Sequence, residues 1–216
     1  MYHFEFVSNE RRAPVRDSLI SIIMETQDLL RDDCAFRFCF VGSDRRDMVT
    51  CDPKTNIGYD FDIDLELSGD GCKYAPKEIK AKFIGALDQV IRKYGYDCAE
   101  NSTRVITIKL KDRQNSRILH SCDFAIIRSC TDKSGCRRRQ YIHFNKKQNS
   151  YSWKELPDHY RLSEKAQWVK DHGHQEEMRD LYLKKKNHNR DPLKRSQALY
   201  AEAVHEICQK HGFALL

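Results

Sequence analysis

From Tyr59 to Leu67 the sequence alternates without a break: Phe61, Ile63, Leu65 and Leu67 are apolar, while Asp60, Asp62, Asp64 and Glu66 are acidic. A period of two marks a strand with one face on a core. Such a strand needs neighbours and a covering layer, so the chain must contain a sheet packed on one side against apolar residues. The other face carries Asp60, Asp62 and Asp64, and like charges so close together raise one another's pKa unless cations sit among them. A divalent hard cation is the natural partner of such a cluster. A calcium loop of the EF-hand kind does not fit, because Leu65 stands where the sixth position needs glycine and Gly71 where the twelfth needs glutamate. Two plainer readings stay open: a solvated strand face, and acids guarding a sheet edge.

A second segment carries a different anomaly. In the run from Ile118 to Ile127 both faces are largely apolar, as in a central strand, yet Asp123 sits in the middle. A buried aspartate needs a partner. If this strand lies beside the first, Asp123 joins the aspartates there as a further carboxylate of one site; the alternative is a structural aspartate bonded to backbone or arginine. Ahead of the acidic strand, Phe36 to Val41 reads as a strand running into Gly42-Ser43. Glycine lets backbone approach a ligand, and exposed N–H groups with a hydroxyl suit a phosphate. Arg45 and Arg46 follow at once and favour an anion there.

Around these strands the spacing predicts helices over Pro14–Asp32, with Pro14 in the first turn, and Pro76–Tyr94, ended by Gly95. Further strands are predicted over Thr103–Leu110, Arg117–Arg128 and Gln140–Phe144, for a core sheet of four or five strands. The polar connection from Asp44 to Gly58 is too long for a hairpin; with Met48, Thr50, Lys54 and Thr55 it either closes over a ligand or only joins two strands. After Trp153 alternation ceases, and helices are predicted over Leu162–His172, Gln175–Lys186 and Pro192–His211. The expectation is an α+β fold in two parts: residues 1–152 as a mixed sheet flanked by helices, and residues 153–216 as a C-terminal helical region.

Composition narrows the class. The chain has 216 residues with only 9 Gly and 5 Pro, which excludes a low-complexity or collagen-like chain. No apolar stretch is long enough for a membrane span, and Glu5 with an arginine pair at Arg11 and Arg12 is unlike a signal peptide, so no membrane partner and a cytoplasmic location are expected. The 9 cysteines lie largely in apolar contexts without a Cys-x-x-Cys pair, and are read as reduced packing thiols, not a zinc site. His172 and His174 flank Gly173 at a helix break and read as capping or surface residues rather than metal ligands, since they lack the helical i, i+4 spacing. Net charge is +6, with bases gathered at Arg137–Arg139, Lys146-Lys147 and Lys184–Lys186. Those beside Tyr141, His143 and Phe144 suit phosphates or nucleic acid, or form a solvated strand end.

Taken together, Gly42-Ser43, then Asp60-Phe61-Asp62 or Asp62-Ile63-Asp64, then Asp123 within Cys122-Asp123-Phe124-Ala125, resemble the polymerase-beta-like nucleotidyltransferase superfamily. The resemblance covers roughly the first 150 residues. It implies a nucleotidyltransferase-like fold in which the Gly-Ser turn, with Arg45 and Arg46, holds the triphosphate of an NTP such as ATP. It further implies that Asp60, Asp62, Asp64 and Asp123 supply the ligands of two Mg2+ ions, or Mn2+ in their place. A nucleoside monophosphate would pass to a hydroxyl with release of pyrophosphate, Asp123 helping to deprotonate that hydroxyl. The connection before the aspartates is longer than in many relatives, and three alternating aspartates stand where two suffice. Asp60 with Asp62 is favoured as the catalytic pair, since the family's acids usually sit early in their strand; Asp62 with Asp64 is the other register. The resemblance names no acceptor, whether small molecule, protein or RNA, and no oligomeric state. A non-catalytic nucleotide- or RNA-binding module of the same fold is the alternative, and a metal-dependent phosphohydrolase a third reading.

Overall fold

A computed structural model describes residues 2–55, 58–68, 73–131, 135–157 and 161–213. In chain order the elements are β1 (Glu5–Phe6), α1 (Asn9–Leu29), β2 (Phe36–Val41), α2 (Gly42–Arg45), β3 (Thr50–Cys51), β4 (Tyr59–Leu67) and α3 (Pro76–Val90), the last followed by a 3-10 turn over Ile91–Tyr94. Then come β5 (Glu100–Asn101), β6 (Ile106–Asp112), β7 (Arg117–Thr131), β8 (Arg137–Asn145), β9 (Ser150–Glu155), α4 (Leu162–Asp171), α5 (Gln175–His188) and α6 (Ser196–Lys210). The chain is α+β. It divides into two compact units: Val7–Val49 with Asn56–Leu156, and Met1–Phe6 with Thr50–Thr55 and Pro157–Leu216.

The first unit is built on a mixed sheet of seven strands among the described residues, in the order β2-β4-β7-β6-β5, with β8 bonded to β7 and β9 to β8. Along β4 every apolar residue is buried, from Tyr59 to Leu67. Phe36, Phe38 and Phe40 of β2 are cross-strand partners of Leu67, Leu65 and Ile63, so they share that face. There Phe36 meets Phe83 of α3 at 5.0 Å between ring centroids, and α1 packs on α3 with Leu19, Ile22 and Ile23 buried. Two helices thus cover one face of the sheet, and the acids of β4 lie on the other.

Three sequence expectations need correction. Helix α1 begins at Asn9, so Pro14 lies inside it and not in its first turn. Tertiary pairing overrides the proline signal: Arg12, only 6% exposed, donates from Nε to Val7 O at 3.2 Å and from a guanidinium nitrogen to Asp44 Oδ1 at 3.1 Å, and that anchors the extra turn. Cys34, buried where the chain leaves α1, is disulfide-bonded, so the nine cysteines are not all reduced thiols; Cys39, Cys122 and Cys208 are among those outside any disulfide. Spacing rules do not see cysteines that the fold brings together. The sheet is also larger than four or five strands, because Ser150–Glu155 pairs with β8 across the place where alternation was read to end.

In the second unit α4 and α5 each pack on α6, burying Val169, Met178, Tyr182, Leu199, Val204 and Ile207. The short strands β1 and β3 pair antiparallel, so the connection after Asp44 holds a strand as well as loop. Asn187 of α5 exchanges two hydrogen bonds with the backbone of Phe4. Among the described residues no helix is long and apolar enough to cross a membrane.

Candidate active site

Strand β7 lies beside β4 and runs parallel to it, with Asp60 opposite Ser121, Asp62 opposite Asp123, and Asp64 opposite Ala125. Cross-strand partners share a face, so Asp60, Asp62 and Asp123 come together on the side the helices leave uncovered. Strand β7 is not buried on both sides as its sequence reads. His120, Cys122, Phe124 and Ile126 are buried, whereas Leu119, Ser121, Asp123 and Ala125 are only half-buried. That half-open face lets a carboxylate sit mid-strand and still reach a ligand.

The trio is electrostatically loaded. The pKa of Asp62 is pushed up to about 6, first by burial, then by the charges of Asp123 and Asp60, with Arg46 opposing. Burial also raises Asp123, against a hydrogen bond from the Thr107 hydroxyl to its Oδ1 at 2.6 Å. Thr107 is the β6 partner of Asp123 in register. The Ser121 hydroxyl donates to Asp60. Neither hydroxyl was singled out from the sequence, since a threonine or serine in a strand carries no signal until its neighbour is known.

Asp64 differs in its surroundings. A guanidinium nitrogen of Arg139 lies 2.8 Å from its Oδ2, and that ion pair opposes the rise that burial imposes on its pKa. Next along the strand, Glu66 accepts a hydrogen bond from Ser129 at 2.7 Å and has Arg37 at 3.3 Å and Arg137 at 3.8 Å. The acidic stripe therefore has two ends. Basic residues read from sequence as candidates for phosphate or nucleic acid neutralise the Asp64–Glu66 end, and the Asp60–Asp62–Asp123 end keeps its mutual repulsion.

Gly42 stands at the head of the site. Its neighbour Val41 pairs with Asp62, and α2 begins as β2 ends. With φ at +62°, Gly42 has a backbone that side chains rarely adopt, and a Cβ there would lie 2.3 Å from Asp62 Oδ2. Ser43 is half-buried and Arg45 exposed; Arg46 is half-buried and near enough to Asp62 to act on its charge. Asp44, 5% exposed, is held by Arg12 and by Arg16 at 3.0 Å, which pins the short helix to α1. No sequence pattern marked Arg12, Arg16 or Asp44, because charged residues near a helix start read as surface.

Three hard carboxylates in register on adjacent strands are the donor chemistry that Mg2+ or Mn2+ takes. They stand further apart than the His174–Glu177–His211 group, where, alone among the described residues, three ligand atoms fall within 4.8 Å of one another.

No family model and no curated protein matches the sequence. Solved structures do. The chain is similar to the STING-associated CdnE c-di-GMP synthase from Capnocytophaga granulosa, at 16% identity and TM-score 0.60 over 98% of this chain and 64% of that one. It is similar to CdnG of Bradyrhizobium diazoefficiens, solved in complex with GTP, at 15% identity and TM-score 0.54 over 89% and 64%. A third likeness is to the Vibrio cholerae DncV cyclic AMP-GMP synthase with a linear intermediate, at 12% identity and TM-score 0.57 over 83% and 60%. The chain thus spans about 64% of the length of the first of these relatives. The likeness is one of fold: this chain has the α+β nucleotidyltransferase fold of these neighbours, a mixed multi-strand sheet flanked by helices.

Proposed function

We propose that the chain is a divalent-metal-dependent nucleotidyltransferase that moves a nucleoside monophosphate from an NTP to a hydroxyl, releasing pyrophosphate. The observation that carries this reading is the register pair of Asp62 and Asp123, with Gly42 packed against Asp62 at the end of β2. Asp60, Asp62 and Asp123 hold the metal, and Asp64 is the spare member of the stripe. When bound, Mg2+ or Mn2+ neutralises the triphosphate and lowers the pKa of the attacking hydroxyl.

The protein's own residues do the rest. Asp123, held by Thr107, takes the acceptor proton. Gly42 and Ser43 bring backbone and hydroxyl to the triphosphate, and Arg46, with Arg45 behind it, adds positive charge. The solved neighbours named as cyclic dinucleotide synthases favour a second nucleotide as acceptor, so that the product is a linear or cyclic dinucleotide.

Incubation with each labelled NTP, singly and in pairs, with Mg2+ or Mn2+ tests the reading. Pyrophosphate release with a dinucleotide product supports it in full, and a nucleotidylated product of another kind supports transfer but not the acceptor. Tight NTP binding without turnover would leave the non-catalytic module, and inorganic phosphate alone the hydrolase.

A further inference from the structure

The second compact unit contains a cluster that nucleotidyl transfer does not use. His174 precedes α5, Glu177 stands in its first turn, and His211 follows the last residue of α6. Helices α5 and α6 pack together, which brings the start of one to the end of the other. The rings of His174 and His211 stack with centroids 3.7 Å apart and planes 16° from parallel, and His211 Nε2 lies 2.8 Å from Glu177 Oε2. One ligand atom from each residue falls within 4.8 Å of the other two, and all three residues are half-buried. Trp168 closes one side, 5.8 Å from the His174 ring and 5.4 Å from Phe213.

Helix electrostatics explain part of this arrangement. Glu177 suits the positive N-terminal end of α5, and His211 the negative C-terminal end of α6. They do not explain His174, which makes no capping hydrogen bond and lies flat on His211 instead.

We propose that His174, Glu177 and His211 bind a zinc ion. Two imidazoles and one carboxylate form a three-ligand set that suits Zn2+ with a fourth position left to water, whereas Mg2+ prefers the all-oxygen aspartates; since stacked rings aim their lone pairs along parallel planes, the His174 ring turns off the stack to bring its nitrogen to the ion. The cation takes the place of the hydrogen between His211 Nε2 and Glu177 Oε2, and the neutral imidazole then carries its proton on Nδ1. Lys210, ion-paired to Glu177 Oε1, turns Oε2 toward the site and acts as a positioning residue. Bound zinc ties the start of α5 to the end of α6.

The test uses the full chain as the Asp62→Asn variant, stripped with chelator and kept in excess Mg2+, so that the aspartate cluster does not contribute and activity is not the readout. Zinc titration by calorimetry should give one ion per chain. His174→Gln and His211→Gln should each weaken binding by on the order of a hundredfold or more, and Lys210→Met by about tenfold. Cobalt should give the visible absorption of a four-coordinate site in the parent and lose it in His174→Gln. Circular dichroism and melting without zinc show whether the variants keep the fold; where one does not, the cobalt spectrum of Glu177→Gln replaces it. No zinc uptake by the parent, or uptake equal in all the histidine and glutamate variants, overturns the proposal.

Discussion

Asp62 of β4 faces Asp123 of β7 as its in-register partner across a parallel ladder. The two residues are 61 positions apart in sequence, and the charge of Asp123 adds to burial in raising the pKa of Asp62. Asp62→Asn should therefore abolish turnover, by on the order of a hundred- to a thousandfold, equivalent to several kcal/mol of transition-state stabilisation. The far-ultraviolet dichroism of the variant should be that of the wild type. Full activity in this variant would remove the basis of the proposed function.

The same residue sets a pH dependence of stability. Asp62 titrates near 6 in the folded chain against 3.8 ordinarily, so the native state holds that proton more tightly than the unfolded state. The stability it contributes is present below 3.8 and is lost as pH rises through about 6. Without metal, Asp62→Asn should match the wild type near the lower value and exceed it above the higher one, by on the order of 3 kcal/mol. Denaturant titrations at several pH values measure this, and added Mg2+ should narrow the gap by stabilising the wild type.

Asp60 and Asp64 should separate. Asp64 is ion-paired to Arg139, whereas Asp60 is tied to Ser121 and repels both Asp62 and Asp123. Asp60→Asn should reduce kcat by on the order of a hundredfold, and Asp64→Asn by less than about tenfold. A larger loss from Asp64→Asn than from Asp60→Asn would mean that the metal pair uses the other register.

Gly42→Ala should harm activity more than stability. Its φ of +62° costs an alanine about 1 kcal/mol, but the new methyl would also displace Asp62 Oδ2, which is the far end of a side chain and can move. A melting temperature lowered by a few degrees with turnover near background is the expected pair of results.

Asp44→Ala should destabilise the fold by about 2 kcal/mol, because the buried Arg12 guanidinium is left with Asp47 and the Val7 carbonyl alone and Arg16 loses its partner. Arg16→Ala, whose side chain is 46% exposed, should cost under about 1 kcal/mol. The midpoint of urea unfolding distinguishes them.

Local order was legible wherever one residue's burial repeats with a fixed period. Strands β2 and β4 fall on their predicted limits, and α3 with its 3-10 turn spans the predicted helix. The acidic face could be read because alternation alone assigns side chains to opposite sides of a strand. Arg12, Asp44, Thr107 and Ser121 could not be read, since each acquires its role from a partner remote in sequence. The sequence by itself determined that Asp60, Asp62 and Asp64 share one face of a strand with a core behind it. Only the tertiary structure decided that β7 lies beside that strand, parallel, with Asp123 against Asp62. Backbone ladders pair any two strands, and the choice of neighbour and register comes from how both faces pack once the helices have closed over one of them.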